Sequence, residues 1–415
     1  MDVIVDRCAG LDVHKNTVMA TVRVPDGRGG RSQTTREFTT FTGRLIELRD
    51  WLLAEGVSQV AMEATGIYWR PVWHILEQAV SLELLLVNPA HFKNLPGRKT
   101  DVKDSEWLAQ LLECGLLCGS FIPPADIAKL RDLTRYRTKI IGERVRETQR
   151  VQKLLEDAGI KLDSVVTDVL GVAGRRMLEA LISGERDPVV LAEMALGRMR
   201  PKIGLLREAL VGRFDEHHAF LLRMHLDHID ELVAMEAQLD SEVDRLMAPF
   251  GDAATRLLSI PGVGKRVAEV IVAEIGVDMS RFPTDQHLAS WAGLCPGHHE
   301  SAGKHRSGKA RKGNPALRTA MCEAAWAASH GKDGYLPARF RRFKRRFGTK
   351  GDTKAIFALA HTMIVIVWHV LHDNVDYHEL GADFLERRTD TQARQRHLVR
   401  QLEALGHKVT LEPAA

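Results

Sequence analysis

Cysteine is scarce in this chain, and what there is does not pair. The five cysteines, Cys8, Cys114, Cys118, Cys295 and Cys322, are odd in number and widely spaced among 415 residues, which argues against a disulfide scaffold. The opening MDVIVDRCAG is charged and has no apolar leader core, so a reducing cytoplasm is the expected compartment. Cys114 and Cys118 stand four apart in an apolar helical pattern with no second pair nearby, and core packing is expected of them before metal coordination. A long apolar run is lacking too. The most apolar stretch, residues 355–371, is interrupted by His361, Thr362 and His369, which makes it marginal for crossing a hydrocarbon layer of about 30 Å. It reads as a buried helix, and no membrane partner is expected.

Net charge is also small, +4, and the 45% hydrophobic and 27% charged content is that of an ordinary globular protein. The basic residues are nevertheless concentrated. Residues 303–318 hold Lys304, Arg306, Lys309, Arg311, Lys312 and Arg318 without one acid, and local density matters more than the sum when the partner is a polyanion. Nucleic acid is therefore the first partner to consider. At 415 residues the chain exceeds what one core usually organises, so two or three domains are expected.

Strand-like composition occupies residues 8–12 and 17–24 with a Pro25, Asp26, Gly27 turn after them, then residues 36–41, 58–62 and 82–87. Helical periodicity covers residues 42–54. The order predicts a mixed sheet flanked by helices in the first 125 residues. Residues 126–158 form a long helical pattern dotted with Arg131, Arg135, Arg137, Lys139, Arg144, Arg146 and Arg150, and residues 177–247 continue in helical composition. Four segments follow: a sheet domain at 1–125, a helical or coiled-coil connector at 126–250, a basic domain at 251–350, and C-terminal helices and tail at 351–415.

The third segment opens with LLSIPGVGKRVAEVIVAEIG, residues 257–276. A tight turn between two apolar helices predicts a helix-hairpin-helix, in which Gly262 and Gly264 let backbone N–H groups approach a phosphate and Lys265 and Arg266 add charge. An ordinary helical hairpin is the plainer alternative.

Phosphodiester chemistry with divalent ions needs hard oxygen ligands brought together from different elements. Asp12 ends one apolar run, Glu63 ends another, and Asp101 and Asp104 stand three apart at the start of a predicted helix, on one face. Singly each has a bland reading: Asp101 as a helix cap with Asp104 in the first turn, Asp12 as a turn residue, Glu63 as a solvated strand end. Together and in this order they match the ligand layout of a ribonuclease-H-like nuclease.

Here the sequence resembles a known family. GLDVHK around Asp12, MEATGIYW around Glu63 and NPAHFKNLPGRKTDVKDSEWLAQLL around Asp101 and Asp104 look like the DEDD, RuvC-like domain of insertion-sequence transposases of the one-ten family. The downstream LLSIPGVGKRVAEVIVAEIG and FPTDQHLASWAGLCPGHHESAGKHRSGKARKGNPALR resemble its second half, so the likeness runs from about residue 6 to 328 in matching order. The resemblance implies an RNase H-like α/β domain followed by helical domains, with Mg2+, two ions, at the four carboxylates and Mn2+ as the substitute. It also implies a nucleophilic serine in the basic segment. Ser301 is the matching position, although Ala302 stands where the family has glycine; Ser307, followed by Gly308, competes. A flexible basic loop is expected here, its glycines and Pro315 opposing a helix.

The resemblance further implies a composite site in which the serine attacks a DNA phosphate and forms a phosphoserine link that permits strand exchange. A structured bridge RNA would pair with target and donor DNA, and dimers or tetramers would hold the strands together. The basic arm and RFRRFKRRFGTK, residues 339–350, suit RNA or DNA backbones. The expected function is thus that of a transposase and DNA recombinase, cytoplasmic and associated with the nucleoid. Two alternatives stand beside it: a junction-resolving nuclease using metal-activated water, and a non-catalytic nucleic-acid-binding scaffold.

Overall fold

The computed structural model describes residues 3–64, 66–88, 101–297, 299–301, 304–308, 310, 312–348, 351–384 and 391–411. Contacts divide the chain into two compact units, Met1–Ile122 and Pro123–Ala415. The segments expected as connector, basic domain and C-terminal helices thus belong to one unit.

The first unit is built on a mixed five-stranded sheet in the order β3-β2-β1-β4-β5. β1 (Cys8–Val13), β2 (Thr17–Pro25) and β3 (Arg31–Thr39) form an antiparallel meander, while β4 (Gln59–Glu63) and β5 (Glu83–Val87) run parallel to β1. β1 is the central strand and all six of its residues are buried, as a strand covered on both faces requires. β3 begins five residues before the expected third strand, at Arg31. Its RSQTTREFT is polar because it is an edge strand with little buried surface, so apolar alternation could not reveal it; its register with β2, from Thr17↔Thr39 to Pro25↔Arg31, is set by pairing.

α1 (Thr42–Ala54) and α2 (Trp69–Leu76) cover one face, where Leu45, Leu48, Trp51, Leu52, Val72 and Leu76 pack on Leu11, Val60 and Met62. α3 (Asp101–Glu113) covers the other, with Leu108, Leu111 and Leu112 against Cys8, Ala61 and Val87.

In the second unit, α4 (Ala125–Asp157) and α9 (Glu216–Met247) form a long hairpin of 33 and 32 residues, about 50 Å at 1.5 Å per residue. Its antiparallel sense follows from the ion pairs His218–Asp157, His225–Glu147, Arg144–Glu236 and Arg137–Asp240. Short helices α5 (Leu162–Val165), α6 (Val172–Ile182), α7 (Pro188–Glu193) and α8 (Ile203–Ala209) close one end around Leu178, Leu206, Leu222 and Leu226. The other end packs on α11.

α10 (Gly251–Leu258) and α11 (Lys265–Ile275) are two helices joined by the glycine turn, and α12 (Asp285–Trp291) follows. The basic segment departs from the expected loop: β6 (His299–Ser301) and β7 (Lys304–Ser307) pair antiparallel with a bulge, and Pro296 bridges Ala310. Glycines that oppose a helix are compatible with a hairpin, and only the pairing distinguishes hairpin from loop. α13 (Pro315–Ser329), α14 (Tyr335–Phe347) and α15 (Asp352–His372) complete the helical body, and α16 (Thr391–Ala404) lies in the tail. α15 is long and apolar enough by composition to cross a membrane, but 61% of its apolar window is buried inside the protein, as a core helix.

Candidate active site

Parallel register brings the first two carboxylates together. Leu11 pairs with Met62, and the residues that follow them are Asp12 and Glu63. Leu11 and Met62 point into the core beneath α1 and α2, so strand alternation turns Asp12 and Glu63 to the opposite face. Both are only 4% exposed, although each ends or nearly ends its strand.

That opposite face is the one α3 covers, and four contacts fix the helix on it. Gly10 in β1 has no side chain, and a Cβ there would stand 2.3 Å from the Ser105 carbonyl oxygen and 2.4 Å from the Ala109 nitrogen. Ser105 Oγ lies 2.8 Å from Thr21 Oγ1, in a hydroxyl chain continued to Thr35 at 2.9 Å. At the far end, Glu113 meets Arg23 Nη2 at 2.9 Å and Arg31 Nε at 2.5 Å, the latter outside hydrogen-bond geometry. Cys8 Sγ donates to the Ala109 carbonyl at 3.4 Å, and burial, with Glu113 nearby, pushes this thiol up to about 11.

These contacts also give direction. Cys8 meets Ala109 and Gly10 meets Ser105, so α3 runs opposite to β1. Two strand residues advance about 6.6 Å and four helical residues about 6 Å. Two positions beyond Gly10 is Asp12; four positions before Ser105 is Asp101. The first turn of α3, with Asp101 and the half-buried Asp104, is therefore carried toward the strand ends that bear Asp12 and Glu63. The Asp101 side chain lies outside what the structure describes.

His14 was not singled out in the sequence, yet its Nε2 lies 3.2 Å from Asp12 Oδ2. Its position two residues past Asp12, within GLDVHK, was the available signal. Two nearly buried carboxylates on adjacent strand ends, both hard oxygen donors, suit a divalent cation of the Mg2+ kind. Among the described residues, no group of three or more His, Cys, Asp or Glu side chains closes into a metal cluster, so a full four-carboxylate set depends on the Asp101 turn.

In the second unit, the two candidate serines sit at opposite ends of one hairpin: Ser301 pairs with Lys304, Ser307 with His299. The base of that hairpin is firmly held. A Cβ at Gly313 would lie 2.3 Å from the Gly293 nitrogen, and the Asn314 N–H donates to the Trp291 carbonyl at 3.3 Å. Asn314 then caps α13 by accepting from the Leu317 N–H at 3.1 Å and donates from Nδ2 to Glu274 Oε2 at 2.5 Å. Glu274, wholly buried on α11, also receives Arg135 at 2.7 and 2.8 Å, while Arg131 donates to the carbonyls of Ala273 and Glu274 at 3.1 and 2.6 Å. The exit of the serine hairpin is thus tied to the long arm through one carboxylate. The side chains of Ser301, Lys304 and Arg306, and all of Lys309 and Arg311, lie outside the described residues; Lys312 is exposed.

The glycine turn divides its labour. Gly262, at φ +89°, is packed so closely on α13 that a Cβ would meet the Ala324 carbonyl at 2.3 Å, whereas Gly264 faces open space. Lys265 pairs with Asp244 at 2.7 Å, and Arg266 with Glu236 at 2.6 Å and Asp240 at 3.1 Å.

A family profile described as Transposase IS116/IS110/IS902 family matches residues 254–341, and a transposase profile for the DEDD domain of IS110-type elements matches residues 9–160. Together they take in more than half of the chain, in the order of its two units. The chain belongs to this transposase family. It is 28% identical over 330 residues to a Sinorhizobium fredii protein provisionally named transposase y4rJ, spanning 73% of this chain and 74% of that one. To the transposase for insertion sequence element IS1111A of Coxiella burnetii it is 26% identical over 349 residues, 79% and 84% of the two chains. The pilin gene-inverting protein of Moraxella bovis is 35% identical over 144 residues, 33% of this chain and 43% of that protein. The transposase is accordingly an insertion-sequence enzyme that acts on DNA, and its DEDD domain points to divalent-metal dependence. Asp12, Glu63, Asp101 and Asp104 all fall within the DEDD match, and Ser301, the glycine turn and Glu274 within the other.

Proposed function

We propose that the transposase cleaves and exchanges DNA strands through a phosphoserine intermediate, with Ser301 as nucleophile and Asp12, Glu63, Asp101 and Asp104 as ligands of two Mg2+ ions. The observation that carries this reading is that Asp12 and Glu63 follow the last residues paired between the adjacent parallel strands β1 and β4, nearly buried on one face, with the first turn of α3 directed at them. Bound Mg2+ would supply charge neutralisation and polarisation of phosphate oxygens. His14 holds and orients the Asp12 carboxylate. In the covalent step a bond forms between Ser301 Oγ and phosphorus as the bond from phosphorus to the deoxyribose oxygen breaks. The proton lost by serine is balanced by the one the released hydroxyl takes up. Attack by the hydroxyl of a second strand reverses the chemistry and restores serine, so the phosphoester is passed on without hydrolysis.

The hairpin cations Lys304, Arg306, Lys309, Arg311 and Lys312 position the phosphates, as backbone contacts do. Of the glycine turn only the open Gly264 is left for a second phosphate contact, since Gly262 packs on α13 and Lys265 and Arg266 are paired with Asp244, Glu236 and Asp240. A structured bridge RNA selects target and donor DNA, and the transposase works as a dimer or tetramer in association with the nucleoid.

The test is incubation of the full chain with its element's RNA, both DNA partners and Mg2+, with denaturing electrophoresis for a protein–DNA adduct. Asp12→Asn, Glu63→Gln, Asp101→Asn, Asp104→Asn and Ser301→Ala each abolish the adduct and the exchange, while Ser307→Ala retains them. Loss on Ser307→Ala alone moves the nucleophile to the other end of the hairpin. Undiminished cleavage with both serines replaced assigns the reaction to activated water, as in a junction-resolving nuclease.

A further inference from the structure

Beside the serine segment, two basic runs stand out in the sequence, and the fold treats them differently. Every arginine on α4 meets a carboxylate: Arg131 and Arg135 at Glu274, Arg137 at Asp240 and Glu269, Arg144 at Glu236, Arg146 at Glu143 and Arg150 at Glu147. Arg137 is buried and Arg131 nearly so, and both brace the arm against its neighbours; Arg135 and Arg144 reach acids on other helices, while Arg146 and Arg150 pair at the surface within α4.

α14 is different. Its N-terminal turn is anchored by buried Tyr335, Leu336 and Pro337, and Arg339 turns inward to donate to Thr362 Oγ1 at 2.9 Å between the rings of Tyr335 and Phe343. Beyond that anchor, Lys344 pairs with Asp352. Arg341, Arg342, Arg345 and Arg346 are exposed. Among the described residues no carboxylate pairs with any of the four; the one further contact is Arg341 to the Lys332 carbonyl at 3.4 Å. Arg341 with Arg345, and Arg342 with Arg346, are like charges at i, i+4, an arrangement that weakens an isolated helix. One cation would satisfy the C-terminal end of the helix dipole; four repelling ones call for an external anion.

We propose that this arginine face of α14 is a contact for the phosphate backbone of duplex DNA. Positions 341–346 rise about 7.5 Å along the helix, a length over which a DNA duplex carries roughly four phosphate charges, twice as many as a single strand. Four guanidiniums match a duplex, and the family's action on DNA selects DNA as that duplex. The inference rests on the family's action on DNA and not on the serine chemistry, so binding and adduct formation fail independently.

The experiment is fluorescence anisotropy of the full chain with a labelled duplex of arbitrary sequence, titrated across NaCl concentrations. Replacing all four arginines by Gln should weaken binding and reduce the slope of log affinity against log salt by about 3 to 4, with the thermal midpoint unchanged or raised as the repulsion is relieved. Replacing all four by Lys keeps the charge and should keep the slope. Arg131→Gln, at a side chain only 11% exposed and held at Glu274, should leave the slope as it is. An unchanged slope in the four-Gln variant overturns the proposal, as does loss of the slope in the four-Lys variant. A slope change seen with an RNA hairpin of equal length but not with the DNA duplex also overturns it, in favour of RNA.

Discussion

Gly10 holds the smallest side chain at the most crowded contact of the first unit. Gly10→Ala sets a methyl group against the backbone of Ser105 and Ala109, and α3 must lift from β1. A loss of about 3 kcal/mol, at the upper end of overpacking costs, is expected by chemical denaturation, together with loss of metal-dependent activity as the Asp101–Asp104 turn moves. Gly262 and Gly264 give a contrast within one turn. Gly262→Ala combines a φ of +89° with a 2.3 Å approach to Ala324 and should lower the thermal midpoint sharply, whereas Gly264→Ala meets nothing within 4 Å and should lower it only by the small cost of alanine at the N-cap of α11. An effect of Gly264→Ala on DNA affinity would then report contact and not folding.

Among elements, the junction of α4, α11 and α13 is held by Glu274. Glu274→Gln keeps the volume, removes the charge shared by Arg131 and Arg135, and leaves Asn314 competing for an amide. Breaking a buried pair costs about 3 to 5 kcal/mol, and the 42% exposure of the Arg135 side chain brings the expectation down to about 2 kcal/mol, readable as a lower urea midpoint. The helices themselves were plain from the chain: predicted residues 42–54 coincide with α1, and residues 126–158 fall within one residue of α4 at each end. Their apolar spacing is local information. The polar edge strand β3 was read only over its second half, from residue 36, and the β6–β7 hairpin was read as a loop, because their stability comes from partners rather than from an apolar pattern of their own.

For the whole molecule, the half-buried His361 of α15 gives a pH dependence. Burial, then the nearby charge of Arg339, holds the His361 imidazole below its ordinary value of 6.5, with Asp285 opposing. The unfolded chain therefore takes up this proton more readily than the folded one. The contribution to stability is complete above about pH 6.5 and is lost as pH falls below it. Thermal midpoints measured from pH 7.5 down to 5 should decline, and His361→Gln should flatten that decline.

Residue order alone determined the chemistry available to this transposase. Asp12, Glu63, Asp101 and Asp104 were legible as candidate ligands because strand ends and a helix start are marked by local apolar patterns, and Ser301 as a candidate nucleophile because of the motifs around it. Tertiary structure decided which groups meet. Register put Asp12 beside Glu63, Gly10 set the line of α3 across them, and His14 joined Asp12. In the other unit Glu274 claimed Arg131 and Arg135, leaving the arginines of α14 without a carboxylate among the described residues. A charge or a glycine in a sequence is only a capacity. Whether it binds, braces or packs depends on neighbours dozens or hundreds of residues away, which no local pattern encodes.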